Sequence, residues 1–236
     1  METGKIGKYL KYAIGEILLV VIGILIALQI NNWNERRREN LEEQRILSLL
    51  TKDLEKDIAS LLALKESAEK RFKEMDTLML TLSSEDNYDI PKFLQLGISS
   101  LGFEGYFKSN TGTYDESVAA GSIKFISNDS LRQKIFTYYG DVKLNYTDKN
   151  NQKQVYEKIY PVFFKKLMAT KNAMQLYGVH NRLAEIDLQS LGQDPEFMAM
   201  LIQKKASETF QVYDWQIFLD LANDLNESIT QEINND

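Results

Sequence analysis

Residues 12–33 read YAIGEILLVVIGILIALQINNW, and within 13–30 only Glu16 and Gln29 are strongly polar. A run this long and this apolar leaves few folds open, and it predicts a membrane-spanning helix. The 21 steps from residue 12 to residue 33, at ~1.5 Å each, give ~30 Å, the thickness of a hydrocarbon core. Tyr9 and Tyr12 at one edge and Trp33 at the other fit interfacial anchors, each with an apolar body and a polar tip. Lys5, Lys8 and Lys11 precede the run and Arg36, Arg37 and Arg38 follow it. Core helices of soluble proteins rarely carry so long an apolar run between two basic collars. A cleaved signal peptide would share the basic start and the apolar run. Here, however, Gln29, Ile30, Asn31, Asn32 and Trp33 follow, with no small-x-small cleavage site and no cysteine for a lipid anchor, so an uncleaved anchor is expected.

The collars match three lysines against three arginines, so charge alone orients the helix weakly. The N-terminal amine adds one charge to the short side, which favours a cytoplasmic N-terminus and a C-terminal domain on the far side. That division gives a short basic tail over 1–11, a transmembrane helix over 12–33, a long amphipathic, coiled-coil-like helix over 34–82 and the remainder of a helical bundle over 83–236.

Beyond the first forty residues about two hundred remain of the 236, enough for a real hydrophobic core. The net charge of −6, with lysine and arginine dispersed, argues against nucleic acid as a partner. The absence of cysteine excludes disulfides, thiolate zinc sites and a cysteine nucleophile.

No proline or glycine interrupts 36–82, where Leu47, Leu50, Leu54, Ile58, Leu61, Leu64, Ala68, Phe72, Met75, Met79 and Leu82 step by three or four. This is a long helix, open to continuity with the membrane helix. Its stripe can face another copy or an intrachain bundle, and the need of later helices to bury their own faces favours the bundle. Asp89-Ile90-Pro91 predicts a cap and first-turn proline for a helix to about Ser100. A sticky loop follows, with Phe103, Tyr106 and Phe107. Thr113 and Glu116 match a capping box for a short helix ending near Gly121. Asn128 or Asp129 caps the next helix, with Leu131, Ile135, Tyr138, Val142 and Tyr146 as its stripe. Residues 148–153, DKNNQK, read as a turn or as an exposed helical face. Val155, Ile159, Val162, Phe163 and Leu167 resume the period, and Pro161 threatens a kink. Asp194-Pro195-Glu196 opens a final helix, for which Phe210, Tyr213, Ile217, Leu221, Leu225 and Ile229 form the expected inward face. No strand pattern is convincing. The expected fold is all-α: one N-terminal transmembrane helix continuing into a long helix, then a helical bundle.

The segment GKYLKYAIGEILLVVIGILIALQINNWNE resembles the N-terminal signature of a family of single-pass membrane proteins of unknown function common in Bacteroidota. The segment TYDESVAAGSIKFISNDSLRQKIFTYY is similar to that family's second recurring block. The resemblance implies an inner-membrane location and a helical domain on the periplasmic side, and it brings no activity with it.

Within the run, Glu16 is the costly residue: a carboxylate costs up to ~3 kcal/mol at the centre of a membrane helix and less near its edge. At 100° per residue Glu16, Val20, Gly23 and Ala27 share a face with Tyr12 and Ile30, and Gly23-x-x-x-Ala27 is a small-residue patch that admits a second helix. Glu16, Val20, Gly23 and Ala27 are therefore the helix–helix interface candidates, with Glu16 reaching the headgroups as the plainer alternative. Gln29, Asn31 and Asn32 read as interfacial hydrogen-bonding residues. His180, the lone histidine, sits in no metal-ligand pattern, and there is no nucleophile elbow or phosphate loop. The pairs Asp53/Asp57 and Asp220/Asp224 read as solvated charge, and Tyr138, Tyr139, Phe103, Tyr106 and Phe107 as core. No catalytic residue, cofactor or metal site is expected. The sequence points to a non-enzymatic, membrane-anchored domain whose partners are the lipid bilayer and either its own copies or an envelope protein. The alternative is a subunit of a small channel or ion-coupled complex using the Glu16 face.

Overall fold

The computed structural model describes residues 3–84, 88–102 and 105–235, with side chains from Gly15 onward except at 146 and 235. Phe103 lies outside the described residues, and so do the side chains of Tyr9, Tyr12 and Tyr146.

One helix, α1 (Thr3–Ser83), runs unbroken for 81 residues, about 120 Å at 1.5 Å per residue. No proline interrupts it, and the apolar run passes directly into the amphipathic stretch. It ends in the polar stretch that precedes α2 (Ile90–Leu101), where Thr77, Thr81 and Ser83 turn their hydroxyls back onto carbonyls one turn earlier. α3 (Gly112–Ala119), a short 3₁₀ turn (Ser122–Phe125) and α4 (Asp129–Lys143) follow. Gly121, between α3 and the 3₁₀ turn, takes φ +68°, a conformation glycine adopts without strain.

α5 (Tyr146–Gln154) leads into a π-helical turn (Val155–Ile159), α6 (Tyr160–Phe163) and a second π-helical turn (Phe164–Met168). Pro161 removes one backbone donor and crowds the preceding carbonyls, and the wide turns on either side absorb it without ending the coil. α7 (Lys171–Leu176), α8 (Leu188–Gly192) and α9 (Pro195–Asn235) complete the chain. The described residues contain no strand. The fold is all-α, as the periodicity requires.

α9 returns antiparallel along α1: Asp76 pairs with Lys205, Arg71 with Glu208 and Lys65 with Gln216. The α1 stripe faces this intrachain partner. Leu47, Leu50, Leu54, Leu61, Ala68 and Met75 are fully buried, and Ile58, Leu64, Phe72, Met79 and Leu82 are partly buried. Two apolar cores result. One joins the middle of α1 to α4 and the C-terminal half of α9 around Trp215 and Tyr138. The other joins the end of α1 to α2, the π-helical stretch and the start of α9 around Phe93 and Phe197. Phe72 touches both.

Several local expectations change. Asp89 stands at the start of α2 but its side chain accepts no capping hydrogen bond. The Thr113/Glu116 capping box does not form, and α3 starts two residues earlier, at Gly112 with Thr111 before it. Thr113 instead donates its hydroxyl to Asp53 of α1 at 2.6 Å, and Glu116 is exposed. A carboxylate from another helix thus holds the start of α3. Asp57 is not solvated either. It is fully buried and accepts from Tyr138 Oη at 2.8 Å, the Asn110 amide nitrogen at 2.8 Å and the Ser109 hydroxyl at 2.5 Å. Burial, and then the neighbouring Asp57 carboxylate, push the Tyr138 phenol above its ordinary range.

The largest change is on α9. Leu225 and Ile229 face inward as expected and Leu221 is partly buried, but Phe210, Tyr213 and Ile217 are exposed. The buried face of α9 between the two cores is carried by Lys204, Ser207, Glu208, Gln211 and Trp215.

Gly192, at the end of α8, packs on the end of α1 so closely that an added Cβ would lie 2.4 Å from the Leu82 carbonyl oxygen. Backbone cannot yield as a side-chain tip does. Gly192→Ala is expected to lower stability by about 1–3 kcal/mol, measured by urea unfolding in detergent, and an unchanged midpoint would contradict this packing.

Candidate functional site

Two regions carry unusual chemistry: the membrane run with its collar, and a polar layer between the two cores.

From Gly15 to Ser83, α1 is long and apolar enough to cross a membrane by length and composition, and none of its most apolar window is buried by the rest of the chain. Glu16, Val20, Gly23 and Ala27 all lie on the exposed part of α1. A Cβ built on Gly23 meets nothing within 4 Å, so among the described residues no element occupies the small-residue patch. Trp33 is exposed at the far edge, with the Arg37 guanidinium carbon 5.8 Å from its ring centroid, a cation–π contact. Gln29, Asn31 and Asn32 are exposed, as is His180 far along the chain.

The polar layer is built from α1, α5, α9 and the loop before α3. The carboxylate of Glu208 receives Arg71 Nε at 2.8 and 2.9 Å and lies 3.2 Å from Lys204 Nζ, with all three residues almost wholly buried. Arg71 also donates through Nη1 to Ser67 at 2.8 Å. One helical turn along α9, Gln211 donates to the Gly105 carbonyl and to Asp148 Oδ1, both at 3.2 Å. Asp148 Oδ2 accepts from the Phe107 amide at 2.8 Å, Asn145 Nδ2 at 3.1 Å and Trp215 Nε1 at 3.3 Å. Asn151, one turn along α5, donates to the Ser207 carbonyl at 3.4 Å. Asp148 therefore ties three separate segments together through four donors. Burial raises its carboxyl above the usual range, against the pull of the Phe107, Trp215, Gln211 and Asn145 hydrogen bonds.

Residues 148–153, read as a turn or an exposed face, thus form a helix that buries Asp148 and Asn151. The missed signal is a polar periodicity. Asn145, Asp148 and Asn151 step by three, and Lys204, Glu208, Gln211 and Trp215 by four, three and four. A buried polar face keeps the same 3.6-residue period as an apolar one, so periodicity alone does not give the side that faces inward.

The fold and these regions define a helical bundle carried on a candidate membrane helix. The chain belongs to a family of unknown function (DUF6090), whose profile matches residues 16–174, more than half of its length. That match spans Glu16, Arg71 and Asp148. No curated protein and no solved structure matches the chain.

Asp148→Asn replaces an acceptor oxygen with a donor among four donors. It is expected to cost about 1–3 kcal/mol, measured by chemical denaturation. The sign of its pH dependence follows from the raised pKa. The native state holds the Asp148 proton to higher pH than the unfolded chain, so this group's favourable contribution is full below its unfolded pKa and is lost as pH rises through its native one. The stability gap between wild type and Asp148→Asn should therefore widen as pH falls from neutral into the carboxylate range. A gap that narrows would contradict the burial of Asp148.

Proposed function

We propose that this chain is a membrane-anchored, non-enzymatic binding domain that assembles with copies of itself or with an envelope protein. In this reading the N-terminus is cytoplasmic, the domain is periplasmic and the membrane is the bacterial inner membrane. The observation that carries it is the outer face of α9. Phe210 and Tyr213 are 65% and 66% exposed, and Ile217 continues their stripe. Leu144, at the end of α4, is 76% exposed and lines a shallow groove with Ile217, Phe218 and Leu221. Burying a side chain of this size gains about 1.5–3 kcal/mol. A helix that turns its polar face to the core and its aromatic face to water supports a role in which something covers the aromatic face. The exposed Glu16, Val20, Gly23 and Ala27 face supports the same reading within the bilayer, where small residues let helices approach and a carboxyl is best placed between them.

A photo-crosslinking residue at position 213, in cells, is expected to give one discrete adduct, while the same residue at exposed position 52 gives none. Identical patterns from both positions would remove α9 as the contact. Glu16→Leu is expected to leave membrane insertion intact and to change the mass of the assembled species in nanodiscs, and an unchanged assembly would remove the Glu16 face.

A further inference from the structure

Two clefts of about 680 Å³ open on either side of α1 just beyond Trp33, and they share Leu41. Their charges differ. One is lined by Glu35, Glu39 and Glu42 against Arg38, Arg45 and Lys124, with Arg45 making a two-pronged bond to Glu42 at 2.9 and 3.0 Å. Its three acids and three bases cancel. The other is lined by Trp33, Arg36, Arg37, Asn40, Leu41, Gln44 and, from the end of α9, Ile233. Arg36 and Arg37 meet no carboxylate in that lining. Among the described residues neither makes an ion pair, although eleven other lysines and arginines of the domain do.

The six α1 residues of this cleft step by three, one, three, one and three, so they form one face of the helix. Depth fixes what that face meets. With Trp33 at the hydrocarbon edge, Arg36 and Arg37 stand about 4.5 and 6 Å further along the axis. The headgroup layer on each side of a bilayer is about 5–7 Å deep. Two guanidiniums without counter-charge therefore sit at phosphate level, in a cleft whose far wall is the returning end of α9. Guanidinium is suited to this ligand, because its planar fork matches two phosphate oxygens at once.

We propose that the cleft between α1 and the end of α9 binds the headgroup phosphate of an anionic phospholipid through Arg36 and Arg37, with Trp33 against the start of its acyl chains. The site rests on the reading of α1 as a membrane anchor. It makes the domain a reader of membrane charge, since a lipid seated there touches α1 and α9 together and braces the bundle against the bilayer.

The full chain in nanodiscs of equal parts phosphatidylcholine and phosphatidylglycerol, examined by native mass spectrometry, tests this directly. Phosphatidylglycerol should be retained preferentially on the released protein. The double variant Arg36→Gln/Arg37→Gln should lower that preference about thirtyfold, taking ~1 kcal/mol per arginine at a membrane surface, while Arg38→Gln in the balanced cleft keeps it. Millimolar inorganic phosphate should leave retention unchanged. Displacement by inorganic phosphate would make the ligand a soluble anion and overturn the lipid assignment. No preference in the wild type, or equal loss in all variants, would overturn the site while leaving the anchor standing. Failure of the chain to enter nanodiscs at all would overturn the anchor and the site together.

Discussion

Everything in this molecule hangs on the continuity of α1. A single hydrogen-bonded backbone carries both the apolar run around Gly23 and the buried stripe from Leu47 to Met75. The domain is therefore not a sphere on a string. Its core is laid directly on the rod that emerges from the candidate membrane segment, with no glycine or proline between residues 24 and 90 to act as a joint. Because α9 runs back along the same rod, its C-terminal end comes to rest beside the arginine collar, where Ile233 faces Asn40 and Gln44. A chain that leaves the collar and travels the length of the bundle thus returns its last turns to the starting level.

The polar layer explains how that return is held in register. Apolar side chains on two long helices tolerate sliding by a turn, since one leucine replaces another. Buried charges do not. Glu208 must meet Arg71 of α1, and Asp148 must meet Gln211 and Trp215 while it also holds the Phe107 amide. Moving α9 by one turn would strand these groups in a low-dielectric interior at a cost of about 3–5 kcal/mol for a broken buried pair. The layer adds little net stability of its own, because desolvation offsets the attraction. What it supplies is a single acceptable alignment of α9, and with it the outward placement of Phe210 and Tyr213.

Much of this was legible in the amino-acid order. Leu47 to Leu82 announced the length and inner face of α1, Asn128 and Asp194 capped the helices expected of them, and Gly121 closed its turn. What failed shares one cause. Local patterns name faces and caps from near neighbours, whereas here distant residues supplied the partners. Asp53 and Asp57 looked like surface charge because the loop residues Ser109 and Asn110 and the α3 residue Thr113 that bond to them lie more than fifty positions away. Phe210 and Tyr213 looked like core because aromatic residues usually are, and nothing local showed that Arg71 and Asp148 would draw Glu208 and Gln211 inward. The membrane-helix candidates Glu16, Val20, Gly23 and Ala27 were legible as one face, and all four are exposed among the described residues.

The unbroken passage from the candidate membrane segment to the bundle is best tested by a distance. The chain has no native cysteine, so spin labels on Leu28→Cys and Glu55→Cys, both exposed on α1, report only on the sites chosen. With the protein in liposomes, an unbroken helix places these backbones about 40 Å apart, and pulsed dipolar spectroscopy should return one narrow distribution near that value. A broad distribution, or a maximum well short of it, would show a joint between anchor and domain and contradict the account.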